Sequence, residues 1–206
     1  MYLPSQFNSD DRHHAASLMR AYPFASLISN DDAGHPYLTH LPLHLQERDN
    51  AWILLGHVAR GNPHWRYLQD RPRVLASFLG PHAYMSPKVY PDLKRVPTWS
   101  YLAVNCAAQA TLLEGEQAKD ALLKQLIADH EPAYAEQWRG LDQDFSQKML
   151  AGIVAFELQV TDWQCKLKLN QHRPEAHAAM HQAYAMGNEN EQALADWMMK
   201  LGLHGN

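Results

Sequence analysis

Short runs of β-branched, aromatic and other apolar residues recur along this chain, and their arrangement restricts the folds it can adopt. The runs that predict strands are Phe24–Ser29, Pro36–Leu45, Trp52–Val58, Val74–Leu79, Thr98–Leu113, Ile153–Val160 and Cys165–Leu169. Regular crossover helices do not separate these runs and no G-x-G-x-x-G motif occurs, so a Rossmann fold is not indicated. The pattern predicts the α+β class, with an antiparallel β-barrel surrounded by helices.

Helical periodicity and capping residues predict helices around this barrel. The predicted helices run from Asp10 or Asp11 to about Tyr22, and over Pro63–Leu68, Gly115–His130 and Asp142–Leu150. Beyond Pro174 two short helices are expected, separated near Gly187-Asn188. The domain organisation predicted is a barrel domain over residues 1–173 and a C-terminal helical extension, 174–206, packed on the same domain.

The stretch GHVARGNPHW, residues 56–65, places polar side chains directly after the apolar run of the third strand. Asn62 precedes Pro63 as an N-cap residue precedes a proline at the first helical position. A helix N-terminus offers free N–H groups and Arg60 offers a forked donor, and both suit a phosphate group. A second interpretation is equally open, in which Arg60 is an exposed loop residue and His64 lies on the surface.

A proline-rich segment, residues 80–98, predicts a long ordered loop with aromatic residues within and beside it. These aromatic residues are Tyr84, Tyr90, Trp99 and Tyr101. Together they could form one wall of a pocket for a flat cofactor, or a contact between subunits. For any one of them taken singly, a place in an ordinary core cluster is the favoured interpretation.

The chain has thirteen histidines, so metal binding has to be considered. His177 and His181 would face the same way on a helix, but no H-E-x-x-H motif or Cys/His spacing supplies further ligands. His40 and His44 would share a strand face about 13 Å apart, at about 3.3 Å per residue, which is too far for one ion. No metal site is predicted.

Nucleophilic catalysis is not indicated either, because the chain has no G-x-S-x-G motif. Cys106 and Cys165 form no C-x-x-C pair and are predicted to be small buried residues. Two isolated cysteines are consistent with a reducing, cytosolic compartment. The sequence therefore assigns no catalytic residue.

The formal net charge of −4 does not favour non-specific binding to DNA. Between His57 and Trp99, however, seven Arg and Lys residues oppose two Asp residues, and this basic segment could hold an anionic ligand. The N-terminal residues lack the basic and apolar regions of a signal peptide, and no apolar run of about 18 residues occurs. We expect a cytoplasmic protein that does not cross a membrane.

Four motifs, in their order and spacing, give the sequence a specific resemblance to a known family. They are GHVARGNPHW, GPHAYMSPKVY, VPTWSYLAVN and KLKLNQHR, and the segments MYLPSQF and THLPLHL also fit. Over about residues 1–175 the chain resembles the FMN-binding negative transcriptional regulators of the PaiB type. The resemblance implies a split β-barrel similar to pyridoxamine-phosphate oxidase and flavin reductases, and a homodimer with FMN between its subunits.

The resemblance also implies a set of cofactor-binding residues. The candidates for the FMN phosphate are Arg60 and Asn62, with Lys168 as a further cation. Those expected near the flavin ring or ribityl chain are Thr39, His40 and His57. Those expected from the loop region, across the dimer, are Tyr84, Ser86 and Trp99. The sequence departs from the family pattern at Val89, Asn105 and His172. These departures affect the residues expected to line the FMN pocket, and Val89 replaces an aromatic residue of its outer wall.

Two functional classes follow from the resemblance. The first is an FMN-binding negative transcriptional regulator or flavin-linked sensor that acts as a homodimer. Direct DNA binding has weak support, because no helix-turn-helix is recognisable and Lys200 is the only basic residue after Arg173, histidines aside. The alternative is a flavin-dependent oxidoreductase of the FMN reductase or pyridoxamine-phosphate oxidase kind. Haem binding on the same barrel is a minor third possibility, raised by the many histidines.

Overall fold

A computed structural model of the protein describes residues 1–92 and 94–205. Within those ranges no helix is both long enough and apolar enough to cross a membrane. The chain forms two compact units. Unit 1 comprises Met1–Tyr22, Phe78–Asn105 and Gln164–Asn206, and unit 2 comprises Pro23–Ser77 and Cys106–Trp163.

Seven strands form the framework of the fold. They are β1 (Phe24–Asn30), β2 (Pro36–Pro42), β3 (His44–Arg48), β4 (Ala51–Ala59), β5 (Arg73–Met85), β6 (Thr98–Leu113) and β7 (Ile153–Lys168). The helices are α1 (Arg12–Ala21), α2 (His64–Asp70), α3 (Glu116–His130), α4 (Ala135–Arg139), α5 (Gln143–Ala151), α6 (His177–Ala185) and α7 (Glu189–Lys200).

The strand order in the sheet is β2-β1-β5-β6-β7-β4-β3, which places β2 and β3 at its two opposite edges. Yet only Leu43 separates these two strands along the chain. Because two residue steps span at most about 7 Å, the two edges of the sheet have to meet. β2 also contacts β4, in agreement with this closure. The predicted α+β class and antiparallel barrel are confirmed.

The prediction of one strand over Pro36–Leu45 is wrong, because the chain leaves one sheet edge and joins the other at Leu43. β2 pairs with β1, whereas β3 pairs with β4. Leu43 is fully buried, and its backbone N–H donates to the carbonyl of Pro23 at 2.9 Å. A Cβ on Gly56 would lie 2.6 Å from Leu43 Cδ2 and 3.0 Å from Phe156 Cζ, so this glycine makes room for the crossing.

Two other strand boundaries differ from the prediction. Ile153–Val160 and Cys165–Leu169 form one continuous strand, β7, although Thr161-Asp162 reads locally as a turn. The hydroxyl of Thr161 donates to the carbonyl of Ala107 at 3.1 Å. β5 extends to Met85 through Gly80-Pro81, so the predicted loop over 80–98 is too long. A Cβ on Gly80 would lie 3.0 Å from Leu18 and 3.2 Å from the Leu102 carbonyl, so glycine fits this tightly packed part of the strand.

The helices begin where capping residues predict. Asp11 caps α1, Asp142 caps α5, and Asn188 forms a capping box with Glu191 at the start of α7. α3 follows Gly115, whose positive φ of 82° suits a residue without a Cβ. α4 was not predicted.

Both cysteines are buried, as predicted. Burial and then the charge of Asp11 raise the pKa of Cys165 to about 12, so this thiol stays protonated at neutral pH. Cys165 therefore acts as a small apolar residue in the packing of unit 1.

Candidate functional site

The residues predicted to bind a cofactor fall into two groups. Thr39, His40, His57, Arg60 and Asn62 belong to unit 2. Tyr84, Ser86, Trp99 and Lys168 belong to unit 1.

Asn62 organises the junction between β4 and α2 in unit 2. Its Oδ1 accepts a hydrogen bond from the backbone N–H of His64 at 3.0 Å, although Pro63, rather than Asn62 as predicted, occupies the N-cap position. The helix itself begins at His64 rather than Pro63. Asn62 Nδ2 donates to Thr39 Oγ1 at 3.1 Å, and Tyr37 Oη donates to Asn62 Oδ1 at 3.3 Å. The loop after β4 is thus held against β2.

His64 completes this network from inside the protein. It is fully buried, with Nε2 2.9 Å from Ser29 Oγ and Nδ1 2.8 Å from Thr39 Oγ1. Burial lowers its pKa from 6.5 to about 4, so the imidazole is neutral at pH 7. The interpretation of His64 as a surface residue is therefore wrong. Sequence reasoning missed its role because its hydroxyl partners lie 25 and 35 residues away along the chain.

Arg60 is exposed, and its side chain forms a hydrogen bond outside the Asn62 network. Its Nε donates to the carbonyl of Ala151 at 2.9 Å, and its backbone N–H donates to the carbonyl of Gly152 at 2.8 Å. Lys119 Nζ donates to the neighbouring Leu150 carbonyl at 2.9 Å. Both cations thus bind carbonyls at the C-terminal end of α5, where the helix dipole favours positive charge.

Arg60 and Lys119 line one cleft of about 270 Å³, together with Trp65 and Gln69. Burial, and next the charge of Arg60, lower the pKa of Lys119. Two cations close enough to affect each other in this way form a favourable place for an anion. The sequence did not identify Lys119, which is 59 residues from Arg60 and lies on a helix with other charged residues.

The two predicted histidines of unit 2 lie in different surroundings. His40 lies on the exposed face of β2, with Nδ1 3.1 Å from Ser26 Oγ and its ring stacked 6.2 Å from that of Phe24. His57 is half-buried on β4, and burial followed by the proximity of His44 lowers its pKa. Among the described residues, neither His40 nor His57 forms a hydrogen bond with Thr39 or Asn62.

In unit 1, Trp99 and Tyr84 lie together, each about half exposed. Their ring centroids are 6.4 Å apart in an edge-to-face arrangement. Trp99 Nε1 donates to His82 Nδ1 at 3.2 Å. Ser86 has a local role instead, since its hydroxyl accepts from the backbone N–H of Lys88 at 3.2 Å and caps a 3₁₀ turn.

Lys168 is half-buried at the end of β7 and is close to Trp99. Its Nζ donates to Thr98 Oγ1 and to the carbonyl of Trp99, both at 2.7 Å. Burial, and next the charge of Lys166, lower the pKa of Lys168. Lys168 and Trp99 both line a cleft of about 330 Å³ in unit 1. The structure thus brings together Thr39 with Asn62, and Trp99 with Tyr84 and Lys168.

Among residues 1–92 and 94–205, no group of three or more His, Cys, Asp or Glu side chains is arranged to hold a metal ion. His44 Nδ1 lies 2.8 Å from Asp129 Oδ2, and its ring contacts that of His130 edge-on at 5.3 Å. His177 Nε2 donates to the carbonyl of Asn170 at 3.1 Å. These histidines join elements of their own unit through local contacts.

Comparison with known proteins identifies a family and two relatives. A family model described as "Putative FMN-binding domain" matches residues 1–162. The chain is 32% identical over 205 residues to a Bacillus subtilis protein named protease synthase and sporulation protein PAI 2, covering 96% of each chain. It is 31% identical over 148 residues to the protein YKL070W of Saccharomyces cerevisiae, covering 61% of this chain and 86% of the yeast protein.

Solved structures share the fold at low sequence identity. One is the FAD and haem binding protein from Mycobacterium smegmatis, with a TM-score of 0.61, 20% identity, and coverage of 78% of this chain and 73% of that one. Another is the flavocytochrome Anf3 from Azotobacter vinelandii, with a TM-score of 0.61, 15% identity, and coverage of 80% and 70%. At these identities the likeness concerns the fold.

The buried His64 predicts a specific pH dependence of stability. In the unfolded chain this imidazole takes up a proton near pH 6.5, whereas in the folded protein it does so near pH 4. Its contribution is therefore complete above pH 6.5 and is lost as the pH falls towards 4. We expect about 2 kcal/mol of the free energy of unfolding to depend on this group over that range.

Urea unfolding of the wild type and of His64→Gln at pH 7, 5.5 and 4.5 measures this contribution. The loss of stability on acidification should be smaller in His64→Gln than in the wild type. His13→Gln, which alters an exposed histidine on α1, should keep the wild-type pH dependence. Equal acid sensitivity in the wild type and His64→Gln would contradict a neutral, buried imidazole.

Proposed function

The chain belongs to the FMN-binding domain family, and from that membership we propose that it binds FMN as a cytoplasmic homodimer and acts as a flavin-linked negative regulator of transcription. The resemblance to the PaiB type covers about residues 1–175, and the Bacillus subtilis relative aligns with 96% of the chain. Flavin binding is the core of the proposal, and the regulatory role depends on it.

The observation that carries the proposal is the pair of cations formed by Arg60, directly after β4, and Lys119 on α3. Among the described residues, the Arg60 side chain donates to the protein only through Nε, so its two terminal amino groups remain for a ligand. A phosphomonoester carries up to two negative charges and accepts several hydrogen bonds, which this pair can satisfy. The residues present therefore fit the phosphate of FMN, and Asn62 holds the adjacent loop in place.

The remaining predicted residues supply the polar and aromatic parts of the site. In unit 2, Thr39 carries a hydroxyl whose orientation is fixed by Asn62 and His64, which suits a ribityl chain. His40 and His57 are assigned to the flavin ring or ribityl chain of the same subunit. Tyr84, Ser86 and Trp99 are assigned to contacts across the dimer, and Lys168 is assigned as a further cation for the phosphate. When bound, the flavin supplies a ring that exchanges electrons or hydride.

An exposed apolar face of the sheet supports the homodimer. Phe24 is 67% exposed and Leu38 is 47% exposed, although both lie on strands. Ile28 lies between Leu38 and Leu75 in the strand register, so the apolar surface continues over β2, β1 and β5 within unit 2. Such contiguous patches mark interaction sites, and a two-fold axis lets one patch contact its own copy.

The C-terminal extension, 174–206, is proposed to pack on the barrel domain, 1–173, as one unit. Tyr184 Oη on α6 donates to the hydroxyl of Ser100 on β6 at 2.9 Å. His177 on α6 binds the carbonyl of Asn170, directly beyond β7. Because these buried hydrogen bonds tie α6 to strand residues of unit 1, the extension supports the barrel rather than forming a separate recognition module.

Removal of the Arg60 side chain should weaken FMN binding. The loss of one charge-assisted hydrogen-bond donor costs about 1.5–3 kcal/mol, so Arg60→Ala and Lys119→Gln should each raise the Kd for FMN about tenfold to a hundredfold. Quenching of flavin fluorescence during titration measures the Kd. The matched control is Arg66→Ala, because Arg66 is exposed and stacks on Trp65 outside the cation pair. Unchanged affinity for FMN in both cleft variants would show that the FMN phosphate does not bind at Arg60 and Lys119.

A charge placed in the apolar face should dissociate the dimer. In Leu38→Glu the carboxylate would have to be buried between the two copies, at a cost of several kcal/mol. Sedimentation velocity should show a dimer for the wild type and a monomer for this variant. Phe145→Glu on α5, which alters a residue 49% exposed elsewhere in unit 2, should remain dimeric. A monomeric wild type, or a dimeric Leu38→Glu, would contradict the proposed interface.

Two measurements on the same sample separate a regulator from an oxidoreductase. For a regulator, the purified protein carries a visible flavin spectrum that NADH and NADPH do not bleach at a catalytic rate. The immobilised protein then enriches particular genomic DNA fragments, and flavin reduction changes that enrichment. Rapid, repeated bleaching without fragment enrichment would instead establish a flavin-dependent oxidoreductase.

A further inference from the structure

A cleft of about 330 Å³ in unit 1 has the size of a small-molecule site and is built from four separate segments. Phe7 contributes from the N-terminal segment and Met85 from the end of β5. The other lining residues are Tyr90, Lys94, Arg95, Val96, Thr98, Trp99, Ser100, Lys168, Asn170, His172 and Arg173. Four of these residues are Lys or Arg, and none is Asp or Glu.

The charges around this cleft are only partly compensated. Arg95 pairs with Asp92 at 2.8 Å and with Glu175 at 3.4 Å. Lys168, in contrast, donates to two neutral oxygens, those of Thr98 and Trp99. In the described part of the chain no carboxylate lies within ion-pair distance of Lys168. A half-buried cation without a counter-ion is unfavourable, and an anionic ligand would remove that cost.

Aromatic side chains form the other part of the cleft. The indole of Trp99 is 48% exposed, although it lies on a strand between cleft residues. The guanidinium of Arg95 lies 4.9 Å from the ring centroid of Tyr90, which fixes both groups at the cleft. An exposed indole beside fixed cations provides a flat apolar surface next to an anion-binding group.

Asn170 adds a feature that packing alone does not explain. It is 93% buried, and its backbone adopts the left-handed conformation, with φ of 63°. Tyr90 Oη donates to its Oδ1 at 3.1 Å, whereas its Nδ2 is buried and has no hydrogen-bond partner in the described structure. A strained backbone and an unsatisfied donor cost free energy, and both are typical of ligand-binding positions.

From these features we propose that the unit 1 cleft binds a small aromatic acid, in which a carboxylate or phosphate contacts Lys168 and the ring packs on Trp99. This ligand is distinct from FMN, so in this proposal Lys168 and Trp99 contact the acid in place of the flavin contacts proposed for them above. The inference rests on the proposed function only for the role of the aromatic acid, which is the substrate or signal that the flavin protein recognises. Binding itself requires residues of unit 1 alone.

Isothermal titration calorimetry tests the cleft with phenyl phosphate and benzoate, which distinguish a phosphate from a carboxylate head group. Inorganic phosphate and acetate carry the same charges without the ring. Titrations are made on flavin-free protein and on protein saturated with FMN. For at least one aromatic acid the Kd should be about tenfold or more below that of its ring-free counterpart, both with and without FMN.

Variants assign the binding to the cleft. Lys168→Gln should weaken binding of the aromatic acid about tenfold or more, since the substitution removes the charge that the anion contacts. Trp99→Leu should abolish the preference for the aromatic acid over its ring-free counterpart. Lys88→Gln, an exposed lysine that does not line the cleft, is the matched control and should bind as the wild type does.

Three results would overturn the proposal. The first is an aromatic acid that binds no better than its ring-free counterpart. The second is equal binding by Lys168→Gln and Lys88→Gln. The third is loss of the aromatic acid on saturation with FMN, which would make the cleft part of the flavin site. Flavin binding is read separately from visible absorbance, so a protein that binds the acid but no flavin refutes only the proposed function.

Discussion

The fold depends on one short connection, the single residue Leu43 between β2 and β3. These strands occupy opposite edges of the sheet, so the connection requires the sheet to close. The closure needs space at the crossing, and Gly56 supplies it where any larger residue would meet Leu43 and Phe156.

The sequence predicted the elements of this fold better than their continuity. Helix starts follow from local chemistry, as Asp142 and Asn188 show by capping α5 and α7. Strand ends do not, because a strand continues for as long as a neighbouring strand accepts its hydrogen bonds. Thr161 and Gly80 carry local turn signals, yet both lie within long strands. The crossing at Leu43 was missed for the same reason, since its partners are distant in sequence.

The candidate site shows the same division between local and distant information. Asn62 was found because its position before Pro63 is a local signal. Lys119 and His64 were missed because their significance comes from neighbours that only the fold brings close. Arg60 was found for its charge, but it contacts the end of α5 rather than the hydroxyl and amide network of Asn62. Residue type thus predicted the chemistry of the site, and tertiary contacts decided which residues work together.

At position 64, histidine serves as a buried, neutral hydrogen-bonding group. His64 and His57 have lowered pKa values because burial disfavours the charged imidazolium. A neutral imidazole donates from one nitrogen and accepts at the other, so it can join two polar groups without introducing a buried charge. His64 does this between Ser29 and Thr39, two residues on adjacent strands. A lysine at position 64 would introduce a buried charge, whereas a leucine would leave the hydroxyls of Ser29 and Thr39 without this partner. Histidine therefore suits a position that holds the Thr39 hydroxyl, a candidate ligand-binding group, in place.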